Sequence, residues 1–199
     1  MNRTAVDVST LPSFAFGKRS ILWWATMLMI AIEGTAFALL IAAYIYLKWR
    51  VPHWPPGLEP PDLFWGTVTT AIILLSVIPN ELARRAAERL DLGQTKLWIT
   101  VSVVAAALFC VTRGFEFTTL NCSWDSNAYG SIVWFLLGTH TAHVVTDTLD
   151  TGVLASMFFI APVDANRFVD VSENALYYYF VIATWLPIYA LLYFGPRLS

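Results

Sequence analysis

Long apolar stretches separated by short polar segments dominate this chain of 199 residues. There are five such stretches, at residues 21–47, 63–79, 97–118, 127–160 and 174–194. A helix needs about 20 mostly apolar residues to cross the roughly 30 Å hydrocarbon core of a bilayer, and each stretch approaches or exceeds that length. The pattern predicts an all-α integral membrane bundle of five transmembrane helices, which occupies residues 21–196.

The composition agrees with insertion into a membrane. Hydrophobic residues make up 57% of the chain and charged residues 13%, whereas an average soluble domain has about 25% charged residues. The net charge is −2 and there is no basic tract, so nothing indicates nucleic acid as a partner.

Lysines and arginines are unevenly divided between the two ends of the predicted spans. Cationic residues that flank transmembrane helices are retained on the cytoplasmic side. One side carries Arg3, Lys18, Arg19, Arg84, Arg85, Arg89, Lys96 and Arg167, and the other carries Lys48, Arg50, Arg113 and Arg197. We therefore expect a cytoplasmic N-terminal segment, residues 1–20, and a C-terminus outside the cell.

The second span is expected to continue as a helix into the cytoplasm. After Pro79 the chain reads NELARRAAERLDLG, in which Glu81 and Arg85 are four residues apart and can pair on one helix surface. Gly93 is the expected stop of this helix, because glycine adopts the left-handed conformation of a helix C-terminus easily.

Glu33 is an acid within the first apolar stretch. At 1.5 Å per residue it lies about 18 Å from the cytoplasmic edge of that span, near the bilayer midplane. Because an ionised carboxylate at that depth costs about 2.5–3.5 kcal/mol, Glu33 must be protonated, paired or exposed to a wet pocket. It is either a neutral acid that bonds to a neighbouring helix or a carboxyl that handles protons or lies beside a cofactor.

His140 and His143 are three residues apart in the fourth span, so they share one helix face, which Asp147 and Asp150 extend. A stripe of this kind is costly against lipid and should face protein. A small tilt or offset of the helix brings the imidazoles level with Glu33. We therefore hypothesise a buried contact between Glu33 and one of these two histidines.

Haem or metal binding within the chain is disfavoured. The chain has three histidines, and His53 falls in a proline-rich loop away from the other two. A bis-histidine haem needs imidazoles on opposite faces of the macrocycle, which His140 and His143 on one helix face do not supply. We expect no catalytic residue, metal site or cofactor site in this chain. Arg113 and Glu116 are also three residues apart, and they predict a local ion pair at the outer interface.

Several of these segments resemble subunit III of the haem–copper terminal oxidases, the family of cytochrome c oxidase subunit III. The segment DSNAYGSIVWFLLGTHTAHVV is similar to the family's tyrosine-glycine-serine followed by G-x-H-x-x-H-V, and RGFEF to the family's acid and aromatic just upstream. SENALYYYFVIATWLPIYALLYF resembles the closing helix, with its acid-x-alanine and W-x-x-x-Y. Glu33 matches the family's buried helix glutamate. The resemblance covers residues 21–196 and is to the five-helix form of the family.

The resemblance implies a non-catalytic, multi-pass subunit of a respiratory terminal oxidase in a bacterial inner membrane. It implies that the chain packs against subunits I and II, stabilises subunit I and supports proton uptake. Haem and copper are then expected in a partner subunit, and phospholipid in the helical cleft. The chain would belong to an oxidoreductase without having a redox centre of its own. Its polar core and proton-linked groups are Glu33, His140, His143, Glu116 and Asp147.

Three alternatives are kept open. In the first, the parent complex is a quinol oxidase or a nitric oxide reductase rather than a cytochrome c oxidase. In the second, the chain is a haem-bearing membrane anchor of an oxidoreductase, and it would then show a Soret band when purified alone. A proton-coupled transporter also uses intramembrane acids and histidines, but such proteins are commonly built from structural repeats, and no repeat is detected here.

Overall fold

The computed structural model describes residues 14–198, and these residues are helical with short connections and no strand. Residues 1–13, which form most of the predicted cytoplasmic segment, lie outside the described residues. The helices are α1 (Ile21–Trp49), α2 (Leu63–Leu75), α3 (Val77–Glu88), α4 (Leu92–Thr118), α5 (Ala128–Ile160) and α6 (Ala165–Tyr189).

Four helical segments of the described chain are long and apolar enough to cross a membrane. They are Ile21–Trp49, Leu63–Glu88, Leu92–Thr118 and Ala165–Arg197. Helix α5 has 33 residues, which exceeds the length needed, but it is not among the segments that meet both criteria. Its interior carries the two histidines and two aspartates of the predicted polar stripe. Residues 14–198 are therefore all-helical with four apolar candidate spans. The predicted span at residues 127–160, which is α5, has the length of a span but was not found among these four.

Helices α2 and α3 form one rod that is interrupted at Ser76. Pro79 causes this break, because proline has no N–H to bond the carbonyl of the fourth residue before it, and that residue is Leu75, where α2 ends. At the break, the Ser76 hydroxyl donates to the Ile73 carbonyl at 2.6 Å and lies 2.5 Å from the Tyr178 hydroxyl of α6. As predicted, the helix continues beyond Pro79, to Glu88.

The turn between α3 and α4 differs from the sequence prediction. Gly93 is not the helix stop, because it lies in the first turn of α4. Leu90 takes the left-handed conformation instead, with φ of 58°. Asp91 then caps the start of α4, because its side chain accepts a hydrogen bond from the backbone N–H of Gln94 at 3.0 Å.

The helix packing makes α5 and α6 central to the bundle. The α2–α3 rod packs against α4 and α6, and α4 packs against α5. Helix α1 contacts α5 and α6, and of its 29 residues only Phe37 and Tyr44 are buried. Few contacts therefore hold α1 to the rest of the bundle, and those contacts include polar groups.

Candidate functional site

A polar contact joins the three helices α1, α5 and α6. The Tyr177 hydroxyl of α6 donates to the Glu33 carboxylate of α1 at 2.7 Å. His143 of α5 lies on the same carboxylate, with its Nε2 3.7 Å from Glu33 Oε2. The side chains of Glu33 and His143 are 20% and 22% exposed, so the contact lies at the edge of the bundle rather than in its centre.

The second ring nitrogen of His143 fixes the tautomer of the ring. His143 Nδ1 lies 2.7 Å from the Thr139 carbonyl oxygen. A carbonyl only accepts, so Nδ1 carries the hydrogen and Nε2 faces Glu33. The 3.7 Å between Nε2 and Glu33 Oε2 is longer than a hydrogen bond. Tyr177 therefore supplies the hydrogen bond to this carboxylate, and His143 contacts it at ion-pair distance.

His140 has a different environment from His143. It is fully buried, and its Nε2 lies 3.1 Å from the Val181 carbonyl oxygen of α6. Its ring packs on Trp185, with ring centroids 4.9 Å apart, and against Phe37 and Phe109. The sequence predicted that Glu33 contacts one of these two histidines. In the structure His143 lies beside Glu33, and His140 connects α5 to α6.

Glu116 lies in a second polar cluster, on α4. Arg113 Nη1 donates to Glu116 Oε2 at 2.9 Å, and both side chains are 1% exposed. The Tyr193 hydroxyl donates to the other carboxylate oxygen of Glu116. The guanidinium lies 4.0 Å from the Trp185 ring centroid and 4.8 Å from that of Phe109. The sequence placed this ion pair at the outer interface, whereas the structure buries it among aromatic rings inside the bundle.

Asp147 does not join either cluster. It is 4% exposed and lines a cavity between α1, α5 and α6. Its Oδ1 has no hydrogen-bond partner among the described residues. One helical turn further on, Asp150 accepts from the Asn174 amide of α6 at 3.3 Å.

The described residues contain no cluster of side chains that fits a metal site. No group of three or more histidine, cysteine, aspartate or glutamate side chains among residues 14–198 is placed to hold a metal ion. His140 Nε2 and His143 Nδ1 face backbone carbonyls, and the two imidazoles occupy separate environments.

Sequence reasoning missed the two tyrosines that complete these clusters. Tyr177 and Tyr193 lie in a helix with several aromatic residues, and nothing in their spacing separates them from membrane-anchoring tyrosines. Only their positions opposite Glu33 and Glu116 distinguish them.

The fold and these clusters define a class of protein, a polytopic helical membrane protein in which tyrosine, histidine and arginine side chains contact the acids Glu33 and Glu116. No family profile matches the chain. Curated relatives do match over most of its length. The chain is 26% identical over 178 residues to the probable cytochrome c oxidase subunit 3 of Nocardia farcinica, covering 85% of each chain. It is 24% identical over 172 residues to cytochrome c oxidase subunit 3 of Thermostichus vulcanus, covering 86% of each.

A fungal relative shows a longer counterpart. Cytochrome c oxidase subunit 3 of Podospora anserina is 28% identical over 146 residues, which cover 71% of this chain and 54% of the relative. Together these alignments support assignment of the chain to the cytochrome c oxidase subunit 3 family.

Proposed function

We propose that this chain is the non-catalytic subunit III of a respiratory haem–copper terminal oxidase. The observation that carries the proposal is the alignment with curated oxidase subunits over 85% of both chains. Haem and copper belong, on this proposal, to a partner subunit. The bacterial relatives favour the inner membrane of a bacterium as its location.

The proposed topology has five spans, with the N-terminus in the cytoplasm. Helix α5 crosses as well, because it packs against α1, α4 and α6, each of which belongs to a candidate span. Two of its polar residues, His140 and Asp147, are 0% and 4% exposed and so avoid lipid. The uneven distribution of lysine and arginine supports the orientation.

Within this subunit, the contact of Glu33 with His143 and Tyr177 has two proposed roles. It holds α1, which buries only two of its residues, against α5 and α6. It also places a carboxyl group, as a proton acceptor, close to the cavity that Tyr177 lines. A proton that enters the cavity reaches Glu33 by way of the tyrosine hydroxyl, and this supports a role in proton uptake by the assembled oxidase.

Co-purification tests the assignment. The tagged chain is extracted in a mild detergent, its partners are identified by mass spectrometry, and the haem spectrum is recorded. We expect a larger haem-bearing subunit to co-purify in stoichiometric amount. Activity with reduced cytochrome c and with quinol then distinguishes the parent complexes. Stoichiometric iron or copper on the chain freed of all partners would contradict the proposal and favour the haem-bearing anchor.

The proton role has a separate test in the purified complex. Glu33→Gln keeps the size of the side chain and removes its proton exchange, and Glu59→Gln in the exposed loop between α1 and α2 is the matched control. We expect Glu33→Gln to assemble but to lose activity faster than the control during turnover at alkaline pH, where protons are scarce. Assembly, pH profile and inactivation rate equal to those of the control would exclude the proton role and leave the packing role.

A further inference from the structure

Asp147 is a buried acid that belongs to neither of the two polar clusters. It is 4% exposed, and its Oδ1 is enclosed and has no hydrogen-bond partner among the described residues. The residue lines a cavity of about 460 Å³ between α1, α5 and α6. The carboxyl group therefore lies in the wall of this cavity, with one of its oxygens shut off from any water that enters.

The hydroxyl groups of α6 that interact with Asp147 are bonded to other residues. Tyr177 and Tyr178 both interact with it electrostatically. The Tyr177 hydroxyl donates to Glu33 at 2.7 Å, and the Tyr178 hydroxyl lies 2.5 Å from the hydroxyl of Ser76. Neither hydroxyl is therefore available to stabilise a negative charge on the Asp147 carboxyl.

The charged residues of α5 and α6 do not compensate Asp147 either. Asp150, one turn further along α5, interacts with it and repels a second negative charge. Arg167 is the one cationic residue among the described residues that line the cavity, and it lies 3.5 Å from Asp170. The remaining ionisable residue of α6 in this lining, Glu173, is itself an acid.

The other two helices packed against α5 bring no free cation to Asp147 within the described chain. Helix α1 contributes uncharged residues to the cavity wall, and its acid Glu33 cannot compensate a carboxylate. On α4, the Arg113 guanidinium is paired with Glu116. The Cys110 thiol of α4 interacts with the same tyrosine, Tyr178, as Asp147 does, and a thiol carries no positive charge.

A carboxylate would be unstable in this position. Burial removes water from the charge, and the neighbouring acid on α5 disfavours the charge further. Such a loss of solvation is tolerated only where a counter-charge and hydrogen bonds replace the water. The neutral acid avoids this cost, because an uncharged carbonyl oxygen is much easier to enclose than a carboxylate oxygen.

We propose that Asp147 is a proton-binding site and carries its proton at neutral pH. The enclosed Oδ1 is the carbonyl oxygen of the acid, and the proton lies on Oδ2. The proton comes from water in the cavity and returns to it, so no other reactant takes part. Loss of the proton leaves an uncompensated carboxylate between α5 and α6, which loosens the contact of these helices. This inference adds a second proton-binding group beside Glu33 and does not depend on the oxidase assignment.

Infrared spectroscopy detects the protonated acid directly. The full chain is synthesised without cells into nanodiscs of phosphatidylcholine, with ¹³C in the side-chain carboxyl of aspartate, and spectra are recorded at pH 7. The C=O stretch of a neutral acid is separate from carboxylate bands, and the label shifts it for aspartate only. Exposed aspartates are ionised at this pH, and Asp147 is the one buried aspartate of the described chain. We expect a shifted neutral-acid band of one carboxyl per chain, and its absence would overturn the proposal.

Variants assign the band to a residue. Asp147→Asn removes the acid at nearly constant size, and Asp125→Asn, in the exposed connection before α5, is the matched control. The band should vanish in Asp147→Asn and keep its intensity in Asp125→Asn. Its survival in folded Asp147→Asn would assign the proton to another aspartate. If Asp147→Asn does not fold, Asp170→Asn decides, because Asp170 is the one half-buried aspartate of the described chain. Loss of the band in Asp170→Asn would then overturn the proposal.

The proposal also sets the direction in which pH changes stability. At neutral pH the folded chain holds a proton at Asp147 that the unfolded chain releases, so the stability falls as the pH rises. Melting temperatures are measured in one detergent at pH 5.5 and pH 7.5. The decrease between these values should be smaller in Asp147→Asn than in Asp125→Asn. Equal decreases in the two variants would show that Asp147 binds no proton in this range, against the proposal.

Discussion

Removing the negative charge of Glu116 should destabilise the bundle strongly. Glu116 and Arg113 are each 1% exposed, and the Glu116 carboxylate is the one anionic group bonded to this guanidinium in the described chain. Arg113 Nε and Nη2 have no hydrogen-bond partner among the described residues. The substitution Glu116→Gln keeps the side-chain size and an oxygen that can accept from Tyr193, but it leaves a buried cation without its counter-charge.

The expected loss follows from what remains around Arg113. Breaking a buried ion pair by removing one partner costs about 3–5 kcal/mol. The Trp185 ring, 4.0 Å from the guanidinium, still interacts with the cation, and such a contact is worth about 0.5–2 kcal/mol. It is present before and after the change, so it cancels in the stability difference and does not replace the lost carboxylate. We expect a loss of about 3 kcal/mol, which lowers the melting temperature by about 6–12 °C for a chain of this size.

The assay is thermal unfolding of the purified protein in one detergent, followed by circular dichroism. Glu59→Gln, at an exposed position, is the control and should stay within about 0.5 kcal/mol of the wild type. The double variant Arg113→Met with Glu116→Gln has no buried charge and should recover at least half of the loss. The reasoning is refuted if Glu116→Gln melts with the wild type, or if the double variant is less stable than Glu116→Gln.

Three further outcomes are expected. Tyr177→Phe removes the hydroxyl that donates to the Glu33 carboxylate at 2.7 Å. A hydrogen bond to a charged group is worth about 1.5–3 kcal/mol, so the melting temperature should fall. An unchanged melting temperature would show that water replaces the hydroxyl. Gly66→Ala places a Cβ 2.3 Å from Tyr193 Cζ and should lower the stability by about 1–3 kcal/mol. The control Gly114→Ala meets no atom within 4 Å and should stabilise its helix by up to about 1 kcal/mol. Equal melting temperatures of the two variants would contradict this packing. Burial raises the pKa of Cys122, in the connection before α5, to about 11. Its thiol therefore stays protonated at neutral pH. Alkylation by iodoacetamide at pH 8, measured by mass spectrometry, should be roughly 100 times slower than for an ordinary thiol, and the rate should rise up to pH 11. A fast reaction at pH 8 would show that the thiol is exposed.

The sequence predicted some helix ends accurately and others poorly. The fourth span was expected at residues 127–160, and α5 covers Ala128–Ile160, because the Asn127 side chain caps the helix by accepting from the Gly130 amide at 2.9 Å. The third and fifth spans were expected from residues 97 and 174, but α4 and α6 begin at Leu92 and Ala165. Hydropathy locates the part of a helix that lies in lipid, and polar turns outside it are missed. Asp91 and Asp164 cap the true starts.

The sequence by itself determined that the chain is a membrane bundle, that Glu33 needs a polar partner, and that two histidines share a face of one helix. These properties follow from length, hydropathy and the 3.6-residue period, which act within one helix. Only the tertiary structure decided which partner each group meets. His143 lies beside Glu33 while His140 bonds the Val181 carbonyl, and two tyrosines complete the acid clusters. Rotation and offset between neighbouring helices set these contacts, because they depend on how the surfaces of two helices fit together.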